Sequence, residues 1–204
     1  MILTNIRGTG NFPELYDSIE MPKHLYIIES LNGPTIQTLK KICGGNFDLR
    51  TTLNIGLDLI SNIEILHNLG YYHRDLKPNN IYFGSLARSG AKYKNSVGIL
   101  DFGNGDIINR NAKLSNKKNF HHYGNKYYSS DNVLKGGSFN IYDDIISIFY
   151  ILIEVFDGKL PWKKNILDSK SISSEEIIEI RKKIRWKNYA KIFQKVFATY
   201  FLLF

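Results

Sequence analysis

At 204 residues and 43% hydrophobic, the chain is long enough to bury one substantial core or two small lobes. A formal net charge of +8 allows an acidic partner or a solvated basic surface. The single cysteine, Cys43, beside Gly44 and Gly45, excludes an intramolecular disulfide framework and fits a reducing compartment.

Met1 to Arg7 lacks the long apolar core and small-residue cleavage site of a signal peptide. Leu25-Tyr26-Ile27-Ile28 predicts a short strand from His24 to Glu29, after the turn-like Glu20-Met21-Pro22-Lys23. Asn32-Gly33-Pro34 ends it. Thr35 predicts the cap of a short helix reaching Ile42, with Ile36, Leu39 and Ile42 at helical spacing. From Thr52 to Leu69 the spacing predicts a long helix that buries Leu53, Leu57, Ile60, Ile63 and Leu66 and is capped by Gly70. Ile81-Tyr82-Phe83 and Val97-Gly98-Ile99-Leu100 predict paired short strands around a polar segment, Gly84 to Ser96. A second irregular stretch, Asn104 to Asn132, is rich in Asn, Lys, His and Tyr. Ile145 to Phe156, interrupted only by Ser147 and Glu154, predicts a fully buried helix. Val196 to Phe204 is apolar but far shorter than the ~20 residues of a membrane span. It reads as the start of a packing helix cut off by the chain end. No membrane insertion, internal repeat or heptad array is expected.

Two strings carry the chemistry. His73-Arg74-Asp75-Leu76-Lys77-Pro78-Asn79-Asn80 follows the long helix directly, and Asp101-Phe102-Gly103 follows the second short strand. Together they supply the parts of a phosphoryl-transfer site. One carboxylate orients a hydroxyl nucleophile and a lysine neutralises the transferring phosphate. An amide oxygen and a second carboxylate hold Mg²⁺. A lone aspartate in such a loop is usually a turn residue. Both strings in this order are very unlikely by chance.

On these motifs the chain resembles a eukaryotic protein kinase. Gly33-Pro34, Leu160-Pro161-Trp162 and Tyr128-Ser129-Ser130-Asp131-Asn132 are similar to the casein kinase I group, which includes the tau-tubulin and vaccinia-related kinases. Most kinases end the activation segment with Ala-Pro-Glu. This group has Ser-Ile-Asn, and Ser130-Asp131-Asn132 takes that place. Gly8 to Pro13 resembles the segment after the small lobe's regulatory helix, and Phe197-Ala198-Thr199-Tyr200 a later large-lobe helix. The resemblance implies an α+β, kinase-like fold: a mostly helical large lobe with a remnant of the β-rich small lobe. Residues 1–31 would be that remnant and hinge, and 32–204 the large lobe, truncated at its C-terminus.

The resemblance also implies roles. Asp75 would be the catalytic base and Lys77 would contact the γ-phosphate, at the spacing of serine/threonine kinases. Asn80 and Asp101 would hold Mg²⁺, and Leu31 would lie at the nucleotide hinge, with ATP as cofactor. His73 and Arg74 would be structural supports. Asp144 would accept hydrogen bonds from the catalytic-loop backbone, cap its own helix, or do both. Protein substrates, acidic or pre-phosphorylated, are implied; charge is spread and no recognition motif indicates specific nucleic-acid binding. An intracellular location, cytoplasmic or nuclear, is expected.

Several departures bear on activity. A Gly-rich loop, a strand-borne lysine and its glutamate partner should precede Gly8, where only seven residues stand. The expectation is therefore a fragment or incomplete form that binds Mg·ATP weakly by itself, or else a silent pseudokinase serving as an interaction module. Glu29, or Ile28 with a one-residue shift, falls at the gatekeeper. Tyr82 takes the aliphatic place beneath adenine. Asn125 replaces a threonine that bonds the catalytic pair, and Tyr127 replaces a basic substrate-binding residue. Lys113, Lys117, Lys118 and Lys126 would supply similar charge or form a solvated loop, and His121 and His122 read as loop polar residues.

Overall fold

Capping and turn chemistry fix where each element begins, and one buried cluster gathers them. The structure, a computed structural model, describes residues 2–9, 11–84, 96–108, 124–163, 172–190, 192 and 194. Helix α1 (Ile2–Asn5) is a single turn whose Leu3, with Ile6 just beyond, enters the core. Strands β1 (Leu15–Met21) and β2 (His24–Glu29) form an antiparallel hairpin with Ile19 opposite Tyr26 and Glu20 opposite Leu25. β2 has the expected bounds. β1 escapes the sequence reading because Asp17, Ser18 and Glu20 break its apolar alternation.

Helix α2 (Ile36–Ile42) starts where Thr35 Oγ1 accepts the Thr38 N–H at 3.2 Å, the expected cap. Helix α3 (Leu49–Asn68) starts earlier than the spacing predicts, because Asp48 caps it by accepting the Thr51 N–H at 2.7 Å. Its buried stripe is also rotated. Ile55, Leu59, Ile60, Ile63 and Leu66 are buried, whereas Leu53 and Leu57 are only half-buried. The helix must serve several neighbours, a core helix and two strands, which share its inner face. Gly70, at φ +87°, turns the chain out of the helix as expected.

Four short strands follow: β3 (Tyr71–Tyr72), β4 (Ile81–Phe83), β5 (Val97–Ile99) and β6 (Asp106–Ile107). β3 pairs with β6 and β4 with β5, both antiparallel, the second pair as predicted. Gly98 is required there: a Cβ would lie 2.2 Å from the Tyr82 ring. After α4 (Asp131–Leu134) comes the central helix α5 (Ile141–Asp157), then α6 (Ser174–Lys182). A capping box opens α5: Asn140 Oδ1 accepts the Tyr142 N–H at 2.9 Å, and Asp143 Oδ2 accepts the Asn140 N–H at 2.7 Å. Ile148, Ile151, Leu152, Ile153 and Val155 are wholly buried, so α5 is the core helix its composition predicts.

Among the described residues, no helix is long and apolar enough to cross a membrane. Most of the polar segment after Gly84, together with Lys113, Lys117, Lys118, His121, His122 and the Phe197 segment, lies outside the described residues.

Candidate active site

The His73–Asn80 loop hangs from α5 by one carboxylate. Asp144 Oδ2 accepts the His73 backbone N–H at 3.0 Å and His67 Nε2–H at 2.9 Å, while Oδ1 accepts the Arg74 N–H at 3.0 Å. Three donors offset the cost of burying this charge. Its neighbour Asp143 completes the capping box, so adjacent carboxylates divide the two roles that the sequence leaves open.

His73 fixes the other side of the loop. Its Nε2–H donates to the Leu100 carbonyl at 3.0 Å, and its Nδ1 accepts the Asp75 N–H at 3.2 Å. Burial holds the imidazole below its ordinary pKa, against the pull of Asp144, so it stays neutral in this tautomer. Phe102 packs edge-on against His73 and Phe12, with ring centroids 5.1 and 5.6 Å apart. Arg74, held at φ +68°, donates from Nε to the Asn104 carbonyl at 2.6 Å and from Nη1 to Asp106 at 2.8 Å. Both residues act as the supports that the resemblance implies.

Four sequence-predicted residues converge. Asp75, only 5% exposed, accepts at Oδ2 from Lys77 Nζ at 2.6 Å and from Asn80 Nδ2 at 3.4 Å. Its Oδ1 is buried with no hydrogen-bond partner among the described residues. An acceptor left like this is costly unless a ligand proton meets it. Asn80 Nδ2 also donates to the Asp75 carbonyl at 3.0 Å and to Asp101 Oδ2 at 3.4 Å. With its nitrogen so engaged, the amide oxygen of Asn80 is the atom left to meet a cation. Asp101 adopts φ +63° and caps the 3-10 turn Phe102–Asn104. Left-handed backbone at both Arg74 and Asp101 is strain stored beside the loop chemistry.

The donor set fits Mg²⁺. Asn80 and Asp101 offer hard oxygen, and among the described residues no group of three His, Cys, Asp or Glu could hold a metal unaided. A cation held by two such oxygens would complete its shell with phosphate oxygens and water, as Mg²⁺ does in nucleotide sites. Leu31 is exposed in the link between β2 and α2. At Glu29, desolvation raises the pKa, and repulsion from Asp101 adds to the rise. Tyr82 is buried on Gly98, and burial, with Glu29 adding, pushes its hydroxyl up to about 12.

The segment leading to α4 closes against the loop. A Cβ at Gly124 would lie 2.4 Å from the Arg74 carbonyl and 3.2 Å from Asp75 Oδ1, so only glycine brings the chain this close. Asn125 turns its side chain to the Tyr127 N–H, which it accepts at 3.1 Å. Ser130 caps α4 and donates to Asp143 at 2.5 Å, and Asn132 donates to the same carboxylate.

Sequence reasoning missed a buried charge network beneath this segment. Lys40 of α2 donates to Glu154 of α5 at 3.1 Å; Lys163, at 3.2 Å, and the Tyr128 hydroxyl reach the same carboxylate. Desolvation pushes Glu154 up, but the Tyr128 hydrogen bond and the two lysines outweigh it and hold it below the usual range. Glu154 alone in an apolar helix was the available signal, since a buried charge needs partners.

The protein kinase domain family matches residues 1–199. A probable serine/threonine-protein kinase of Dictyostelium discoideum is 32% identical over 145 residues, which cover 68% of this chain and 28% of that protein. The chain thus spans under a third of the relative it matches. With the converging loop residues and a family match over nearly its whole length, the chain belongs to the protein kinase family.

Proposed function

We propose that the protein carrying this chain is a casein kinase I-like serine/threonine kinase that moves the γ-phosphoryl group of ATP to protein hydroxyls. One observation carries this reading: hydrogen bonds through Asp75 Oδ2 and the Asn80 amide join Asp75, Lys77, Asn80 and Asp101, while the other Asp75 oxygen, Oδ1, is buried with no hydrogen-bond partner among the described residues. Asp75 Oδ1 would accept the proton of the attacking hydroxyl. Lys77, 2.6 Å from Asp75, places positive charge where the transferring oxygens become more negative. Asn80 and Asp101 would hold Mg²⁺; bound Mg·ATP supplies the phosphoryl group and neutralises its charge.

Lys77 at two positions beyond Asp75 supports serine or threonine as acceptor. Ser130-Asp131-Asn132 and Leu160-Pro161-Trp162 support the casein kinase I group. Residues 1–31 serve as the small-lobe and hinge portion, with Leu31 at the hinge, and 32–204 as the large lobe. Lys126 lies 5.8 Å from the Tyr127 ring centroid, beside the activation segment, and supports an acidic or pre-phosphorylated substrate. The lone thiol of Cys43 is in keeping with an intracellular setting.

The test is Mg²⁺-dependent transfer from labelled ATP to an acidic protein by the full-length gene product. Transfer should vanish on chelation, and Asp101→Ala should weaken the apparent affinity for Mg·ATP. Transfer that persists without divalent cation, or an unchanged affinity in the variant, contradicts the site. The second reading, a silent interaction module, draws on the apolar residues exposed along β1 and β2. Neither transfer nor a nucleotide-dependent thermal shift in the full-length protein would leave that reading standing.

A further inference from the structure

Arg181 has no part in the chemistry described so far, yet it is 2% exposed. It sits on α6, in line with buried Ile177 and Ile178. Its guanidinium carbon lies 4.1 Å from the Tyr150 ring centroid and 4.5 Å from that of Trp162, so the cation packs against both rings, which meet edge-on with centroids 4.8 Å apart. Three hydrogen bonds leave it, all toward the same short stretch. Nη2 donates to the Tyr127 carbonyl at 3.0 Å, and Nη1 to the Ser129 carbonyl at 2.8 Å and to Asp131 Oδ1 at 2.9 Å. Trp162 Nε1 donates to the same Tyr127 carbonyl at 2.7 Å.

A rigid planar fork is the side chain that can serve several backbone acceptors while stacked; an ammonium is a point charge. Fixing an irregular stretch costs conformational entropy, and these charge-assisted bonds offset it. The clamped stretch matters because of what precedes it. Gly124, three residues before Tyr127, lies against Arg74 and Asp75 with no room for a side chain. Movement of 127–131 would therefore reach the catalytic carboxylate within a few residues.

We propose that Arg181 is a positioning residue: packed against Tyr150 and Trp162, it clamps Tyr127 to Asp131 as the ledge on which the acceptor protein is presented to Asp75. The presentation role rests on the kinase reading; the clamp itself does not. Asp131 anchors the outer edge of the ledge, and its side chain is partly exposed, so it can be altered with less risk to the core.

Amide hydrogen exchange on the chain, with Arg181→Lys and Asp131→Asn, tests the clamp. Losing charge-assisted bonds should speed exchange across residues 125–131 by about ten-fold in Arg181→Lys and less in Asp131→Asn, while α5 amides keep their rates. Unchanged exchange in the ledge, or equal acceleration in α5, overturns the proposal. Should Arg181→Lys fail to fold, Asp131→Asn decides by the same criterion. Steady-state kinetics of the full-length product test the presentation role. Arg181→Lys should raise KM for the protein acceptor about ten-fold while leaving KM for Mg·ATP unchanged. A fall in kcat at unchanged acceptor KM overturns it. A wild-type protein without transfer removes the kinase reading instead, and the exchange measurement still decides the clamp.

Discussion

Helix α5 and strand β2 of the β1–β2 hairpin both carry apolar runs, and the two elements have opposite fates. Ile145 to Val155 sinks into the core with α3 packed along it. Ile19, Met21, Leu25, Tyr26, Ile27 and Ile28 stand exposed on the hairpin. Local chemistry made both elements; the available surface separated them. α5 has partners on several sides, including the ledge that Arg181 holds, whereas among the described residues each hairpin strand is paired only with the other. A two-stranded hairpin by itself is marginal in water. Apolar sequence thus shows which residues seek a partner, and not whether they find one.

The contrast breaks most sharply at Ile148. Ile148→Asp would bury an unpaired charge at a cost of several kcal/mol, against a total stability of roughly 5–15 kcal/mol. Circular dichroism should show an unfolded large lobe; wild-type melting would show that α5 is not the core element. Next in size is Glu154→Leu, which leaves Lys40 buried with the Gly158 carbonyl at 3.1 Å and no counter-charge. Breaking a buried pair in this way costs about 3–5 kcal/mol, readable as a lower urea midpoint, and an unchanged midpoint would contradict the network.

A pH effect should follow from His73. Its folded pKa is depressed, so between that value and the unfolded value of about 6.5 the unfolded chain binds more protons. The stabilisation is full above about pH 6.5 and is lost as pH falls through that window. The urea midpoint should decline from pH 7 toward 5.5, and a flat profile would argue against a neutral buried imidazole. The smallest effect belongs to the hairpin. Ile27→Lys should change stability by no more than about 0.5 kcal/mol and reduce self-association, as measured by sedimentation. A loss approaching that at Ile148 would erase the distinction between the two regions.

What the sequence made legible was local. The Thr35 cap, the Gly70 stop, the β4 and β5 runs and the apolar length of α5 each declare themselves within a few residues. So did the site: Asp75, Lys77 and Asn80 share one loop, and Asp101 follows a strand that pairs back beside it. The misses are long-range. The stripe of α3 rotates away from Leu53 and Leu57 because a core helix and two strands share it. Arg181 meets Ser129 across 52 positions and Lys40 meets Glu154 across 114, distances at which no periodic pattern signals a pairing.

The central claim is that Asp75 acts on the nucleophile and does not hold the fold. Phosphotransfer from labelled ATP should be compared in wild-type and Asp75→Asn full-length protein, with thermal melts alongside. The account predicts transfer lower by about 10²–10⁴-fold with melting unchanged. Equal transfer by the two proteins would contradict it.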